Sequence, residues 1–203
     1  MAMSLHDAAK AENLSVLERL ISEGADVEAV DWNQETALHA AARVGRGEAV
    51  ARLLAAGADI NVRDKFGSSA LRAATRGGHT RVVKLLLEKG ARVDIQTNEA
   101  ATPLHVAAWN GRKDIAELLL DRGADIDARC QDGATPLQLA VLGERKDVLE
   151  LLLARGARVR DRGLEKLTAL ELAEARGKVE LARLLRNREE KKPVSFFKRI
   201  FGG

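Results

Sequence analysis

The chain has 203 residues, 46% of them hydrophobic and 31% charged, with a formal net charge of +3. Its single cysteine, Cys130, excludes an intrachain disulfide and fits a reducing compartment, and no run approaches the roughly 18 apolar residues of a transmembrane helix. Residues 191–203 hold four basic residues and no acid, so residues 1–190 carry a net charge of −1, which argues against nonspecific nucleic-acid binding.

Two ladders organise the chain. Leu5, Leu38, Leu71, Leu104, Leu137 and Leu170 recur every 33 residues, and Gly24, Gly57, Gly90, Gly123 and Gly156 keep the same period. A fixed period in this range predicts stacked units. They run over about 3–31, 32–64, 65–97, 98–130, 131–163 and 164–190, without an internal domain boundary. Each reads as a helix, a tight turn, a second helix and an extended excursion to the next unit.

In unit one, Met3 stands where later units have Thr or Ser, so Ser4 and Asp7 are expected to cap the first helix one residue out of register. The start of the chain, 1–7, has no basic region followed by an apolar run, and no signal peptide is expected. In units two to six the first helix opens at Thr36, Ser69, Thr102, Thr135 and Thr168, whose hydroxyls suit an N-cap. Pro103 and Pro136 follow at the first helical position, where no donor is lost. Thr135 with Gln138 and Thr168 with Glu171 form capping boxes. His39 and His105 fall in the same slot and are expected to bond near their own threonines.

The first helices are rich in alanine, which lets neighbours approach closely. Gly45, Gly78, Gly111 and Gly177 mark the turn to the second helix, with Glu144 in that place in unit five. The second helix carries the larger apolar load: Ile115, Leu118 and Leu119 lie at i, i+3 and i+4, and Val50, Leu53 and Leu54 repeat the pattern. The Gly24 ladder then closes each second helix. Polar hairpin tips follow at 31–34, 64–67 and 130–133. Gly67 and Gly133 suit the special turn position, while Gln34, Ala100 and Lys166 in that position predict distorted tips. The two end units keep a polar outer face, as solenoid caps must.

Beyond Pro193, the tail 191–203 holds three of the four phenylalanines. Phe196, Phe197, Ile200 and Phe201 would share one face of a short helix. Three readings stay open: a disordered end, a helix that docks on the array or a partner, and contact with an anionic membrane.

Thr102-Pro103-Leu104-His105-Val106-Ala107-Ala108, then Asn110-Gly111, then Ile115-Ala116-Glu117-Leu118-Leu119-Leu120, then Gly123-Ala124-Asp125-Ile126-Asp127, closely resembles the ankyrin repeat. The resemblance covers about residues 3–190. It implies an all-α solenoid of six units, four internal and two capping, as one repeat domain over 1–190. It also implies a non-enzymatic module or adaptor that binds a protein partner, on a concave face of hairpin tips and first helices.

On this sequence that face takes Trp32, Asn33, Glu35, Arg43 and Val44 from unit two. Unit three gives Lys65, Phe66, Ser68 and Arg76, and unit four gives Asn98, Glu99, Trp109 and Asn110. Unit five gives Gln131, Asp132, Ala134 and Leu142, and unit six gives Leu164, Glu165 and Arg176. Both tryptophans and the one phenylalanine outside the tail fall in this set, and Trp and Arg are enriched in interface hot spots. The competing expectation is that Trp32 and Trp109 merely cover neighbouring hairpins.

His6, His39 and His105 occupy one repeat slot, and Asp26, Asp59 and Asp125 another, so they should lie one per unit instead of converging on a metal or a nucleophile. No glycine-rich phosphate loop remains once turns and caps are assigned. An enzyme, a cofactor, a metal and a small-molecule substrate are therefore not expected. A monomer in the cytoplasm, or alternatively the nucleus, is expected. The alternative function is a membrane-surface or assembly factor acting through the basic aromatic tail. Leu53, Asp59, Ile60 and Asn61 match the spacing that the resemblance links to asparagine hydroxylation.

Overall fold

A computed structural model describes residues 3–11 and 14–190. Twelve α-helices fall among them, as six antiparallel pairs: α1 (Leu5–Lys10) with α2 (Leu14–Ser22), α3 (Ala37–Arg43) with α4 (Gly47–Ala55), and α5 (Ala70–Gly77) with α6 (Thr80–Glu88). Then come α7 (Pro103–Asn110) with α8 (Lys113–Asp121), α9 (Pro136–Leu142) with α10 (Lys146–Ala154), and α11 (Ala169–Ala175) with α12 (Val179–Glu190). A short 3-10 turn, Leu164–Lys166, precedes α11. The first helices stack into one layer, α3 between α1 and α5 and α7 between α5 and α9, and the second helices stack into another.

Capping follows the expected chemistry. Thr36, Thr102, Thr135 and Thr168 close capping boxes with His39, His105, Gln138 and Glu171. Ser69 caps α5, accepting a hydrogen bond from the Arg72 N–H. In unit one the cap is Ser4, one residue late, whose Oγ accepts from the Asp7 N–H at 3.1 Å.

The core lies between the two layers and runs the length of the stack. Leu38, Leu71 and Leu104 are fully buried, Leu5 is 8% exposed, and Leu170, in the last unit, is half-buried. Each buried leucine contributes roughly 1.5–3 kcal/mol. Ala41, Ala74, Ala107 and Ala140 have no exposed surface, so larger side chains there would force the first helices apart.

Polar side chains tie each unit to the next. The His39 Nε2 lies 3.0 Å from the Ser68 carbonyl and the His105 Nε2 lies 3.1 Å from the Ala134 carbonyl. A carbonyl only accepts, so Nε2 carries the proton and Nδ1 accepts from the N–H of Thr36 or Thr102. His6 reaches the Glu35 carbonyl in the same way at 2.7 Å. Gln138 does both jobs with one amide: Oε1 accepts from the Thr135 N–H, and Nε2 donates to the Leu167 carbonyl. The expectation of a bond near each histidine's own threonine was half of the arrangement; the other half crosses to the next unit. His79 points the other way, its Nε2 2.9 Å from the Arg43 carbonyl of the preceding unit. Asn61 is also structural, its Oδ1 accepting from the Arg92 N–H.

The hairpin tips correct one expectation. Gln34 and Ala100 adopt the left-handed backbone of Gly67, with φ of 58°, 59° and 75°. All three keep the same turn bond at 2.9 Å, from Gln34 to Asp31, Ala100 to Thr97 and Gly67 to Asp64. These two tips are strained, not distorted, because the surrounding bonds outweigh a left-handed penalty of about 1–2 kcal/mol per residue. Distortion appears only in unit six, where Glu165 and Lys166 are both left-handed. The expectations for the tail 191–203 lie outside the described residues.

Candidate functional site

The hairpin tips are joined through their backbones. The Lys65 N–H donates to the Asn33 carbonyl at 3.0 Å, Asn98 to Phe66 at 2.9 Å, and Gln131 to Glu99 at 2.8 Å. The tips of units two and three are also braced from within by a carboxylate. Asp31 Oδ1 accepts from the N–H groups of Asn33 and Glu35, and Asp64 Oδ1 from those of Phe66 and Ser68. With the backbone polar groups satisfied in this way, the tip side chains face outward.

The side chains exposed on the tips and at the end of α7 are unusually apolar for a surface. Trp32 is 82% exposed, Phe66 56% and Trp109 48%. The Lys65 Nζ stands 4.2 Å from the Trp32 ring centroid and 5.1 Å from that of Phe66, a cation held between two aromatic faces. Trp32 therefore shields a lysine, but most of its own surface stays open.

Two cavities adjoin this strip. One, of about 510 Å³, is lined by Glu35, Arg43, Phe66, Arg72, Arg76 and Glu99 among others. The second, of about 190 Å³, is lined by Arg72, Arg76, His105, Val106, Trp109 and Asn110 among others. Arg72 and Arg76 line both, so Phe66 and Trp109 stand on the same side of the stack around one pair of arginines.

Most of the expected contact residues are open to solvent here. Lys65 contributes its ammonium, Arg76 and Glu99 are exposed, and Asn98 donates to the Lys65 carbonyl. Gln131 and Asp132 continue the strip into unit five, and Glu165 and Arg176 form an ion pair in unit six. Val44 is exposed at the end of α3. Asn110 turns back to donate to the Val106 carbonyl. Glu35 and Arg43 are joined by two hydrogen bonds and so are committed to each other.

Four expected contacts are less open than the rest, although Ser68 still lines the first cavity. Ser68 is 5% exposed and Ala134 2%, because the residue before each cap is drawn inward when its carbonyl accepts the neighbouring histidine. Leu142 and Leu164 are half-buried against the core and serve packing.

Arg72 was missed. Among the slots of units one to six, occupied by His6, His39, Arg72, His105, Gln138 and Glu171, it brings a guanidinium and makes no bond to the following unit. That departure from the ladder was the available signal. Its Nη1 reaches the Ser68 Oγ at 3.3 Å, and its Nε is buried without a hydrogen-bond partner. Burial, then the nearby Arg76, holds its pKa below the ordinary guanidinium value. Burial likewise lowers the pKa of His39 and His105, against the opposing pull of the carbonyls they bond.

Among the described residues no group of three or more His, Cys, Asp or Glu is placed to hold a metal ion, and no helix is long and apolar enough to cross a membrane. A family model described as ankyrin repeats (3 copies) matches residues 3–64 and 45–130, more than half of the chain. The chain belongs to the ankyrin repeat family. A second model, ankyrin repeats (many copies), matches 112–153. No curated protein matches the chain. Ankyrin repeats generally mediate protein–protein interaction and are typically non-enzymatic modules. The slot histidines of this ankyrin array tie neighbouring units together, and its exposed aromatics lie on two hairpin tips and at the end of α7.

Proposed function

We propose that the chain is a protein-binding module or adaptor that captures a protein partner on the concave face formed by its hairpin tips and first helices. The observation that carries this is the exposure of three aromatics, all about half exposed or more: Phe66 and Trp109 line two adjoining cavities, and Trp32 stands beside Phe66 across the Lys65 ammonium, on a braced scaffold. Exposed aromatics of this kind supply large contact area with little entropy to lose, and interfaces concentrate their energy in such residues. The backbone links between tips hold the strip before any partner arrives, so little ordering is left for binding.

The test is partner recovery from cell extract by the wild-type chain and by the triple variant W32A/F66A/W109A, identified by mass spectrometry. Loss of specific partners with thermal unfolding little changed is the expected result. Unaltered recovery would refute the assignment of this face.

A further inference from the structure

We propose that Arg72 and Arg76 form a receptor for a carboxylate side chain in an acidic segment of the partner protein, a proposal that rests on the tip face being the binding face. Arg72 and Arg76 line both cavities, the first of which is also lined by Phe66 and the second by Trp109. They lie one helical turn apart on α5, where like charges repel. Neither forms an ion pair within the described residues, and the buried Nε of Arg72 has no hydrogen-bond partner. A carboxylate is the group that accepts from arginine at two points.

The nearby acids do not already answer this charge. Glu35 is bonded to Arg43, and the Asp64 Oδ1 accepts two backbone N–H groups. Asp64, and after it Glu99, act on Arg72 only through space, without an ion pair, and Glu99 is exposed at its tip. The second cavity has no acidic lining residue. In the second cavity the two arginines thus meet no acid, which leaves room there for one negative charge. A dianionic phosphate would meet Glu99 and Asp64 on the same wall, so a monoanion fits better. The apolar rings to either side favour a segment in which Asp or Glu is flanked by an apolar residue.

The probe is a phage-displayed library of random peptides selected on the full chain. Enriched peptides are expected to carry an Asp or Glu beside an apolar residue. R76Q, a change at an exposed side chain with no partner to lose, should weaken the best peptide at least about tenfold. R72Q should do the same. Replacing the peptide's acid by its amide should cause a similar loss that does not add to that of R76Q.

Enrichment of peptides without an acid, or of none, overturns the proposal. So does affinity within about twofold of wild type in both arginine variants, or tighter binding when phosphoserine replaces the acid. The triple variant W32A/F66A/W109A separates the two levels. If it loses the peptides while R76Q and R72Q do not, the tip face stands and the carboxylate receptor falls. If none of the variants loses them, both fall.

Discussion

Units two and three meet differently from units three and four. At the first junction His39 accepts from its own threonine and donates to the Ser68 carbonyl. At the second, Arg72 occupies the equivalent place and makes no bond to unit four, where the matching carbonyl is that of Ala101. The apolar layer beneath does not register the change: Leu71 and Leu104 are both fully buried. The stack therefore draws its cohesion from the leucine and alanine core, and the polar slot above it can be released for another purpose at one junction without opening the array.

If that division holds, the largest losses come from the core and are the same on both sides of the odd junction. L71A and L104A should each cost about 2–5 kcal/mol in chemical denaturation, with L170A, half-buried at the end, costing less. A much smaller loss for L71A than for L104A would mean that the third junction is loose all the way through. Next in size, H105A should cost about 1–3 kcal/mol, because the Thr102 N–H and the Ala134 carbonyl lose a buried partner.

R72H should act in the opposite direction. Given a histidine that can donate to the Ala101 carbonyl, the third junction should gain about 0.5–1.5 kcal/mol while acid-peptide binding disappears. No gain in stability would show that the missing bond is already replaced.

The smallest effect is on pH dependence. His39 and His105 have folded pKa values below the ordinary imidazole value of about 6.5, so the unfolded chain takes up their protons first as pH falls. Their contribution is present above that value and is lost on acidification below it. Thermal unfolding midpoints at pH 5 should therefore fall relative to pH 7.5, and the double variant H39Q/H105Q, built on the example of Gln138, should fall less.

Much of this was legible in the residues. The period of 33 placed the units, and the Thr-x-x-Gln and Thr-x-x-Glu spacings placed the caps, because both signals are local and repeat. The burial of Ser68 and Ala134 was not legible because it depends on a carbonyl's partner 29 residues upstream, which no local pattern encodes. Gln34 and Ala100 were misjudged for a related reason: tip-to-tip bonds impose a left-handed turn that their own propensity opposes. Arg72 showed in the slot comparison but acquired meaning only when two cavities were found to share it.

The backbone links between hairpin tips run from Asn33 through Lys65, and on to Asn98 and Gln131, without using any tip side chain. They work as a ruler. Successive anchor points cannot splay apart or close up independently, so a guest polypeptide has to offer its contacts at the interval of the stack. Recognition then divides into two separable questions, what chemistry each tip offers and whether the guest keeps the beat, and substitutions can rewrite the first without touching the second.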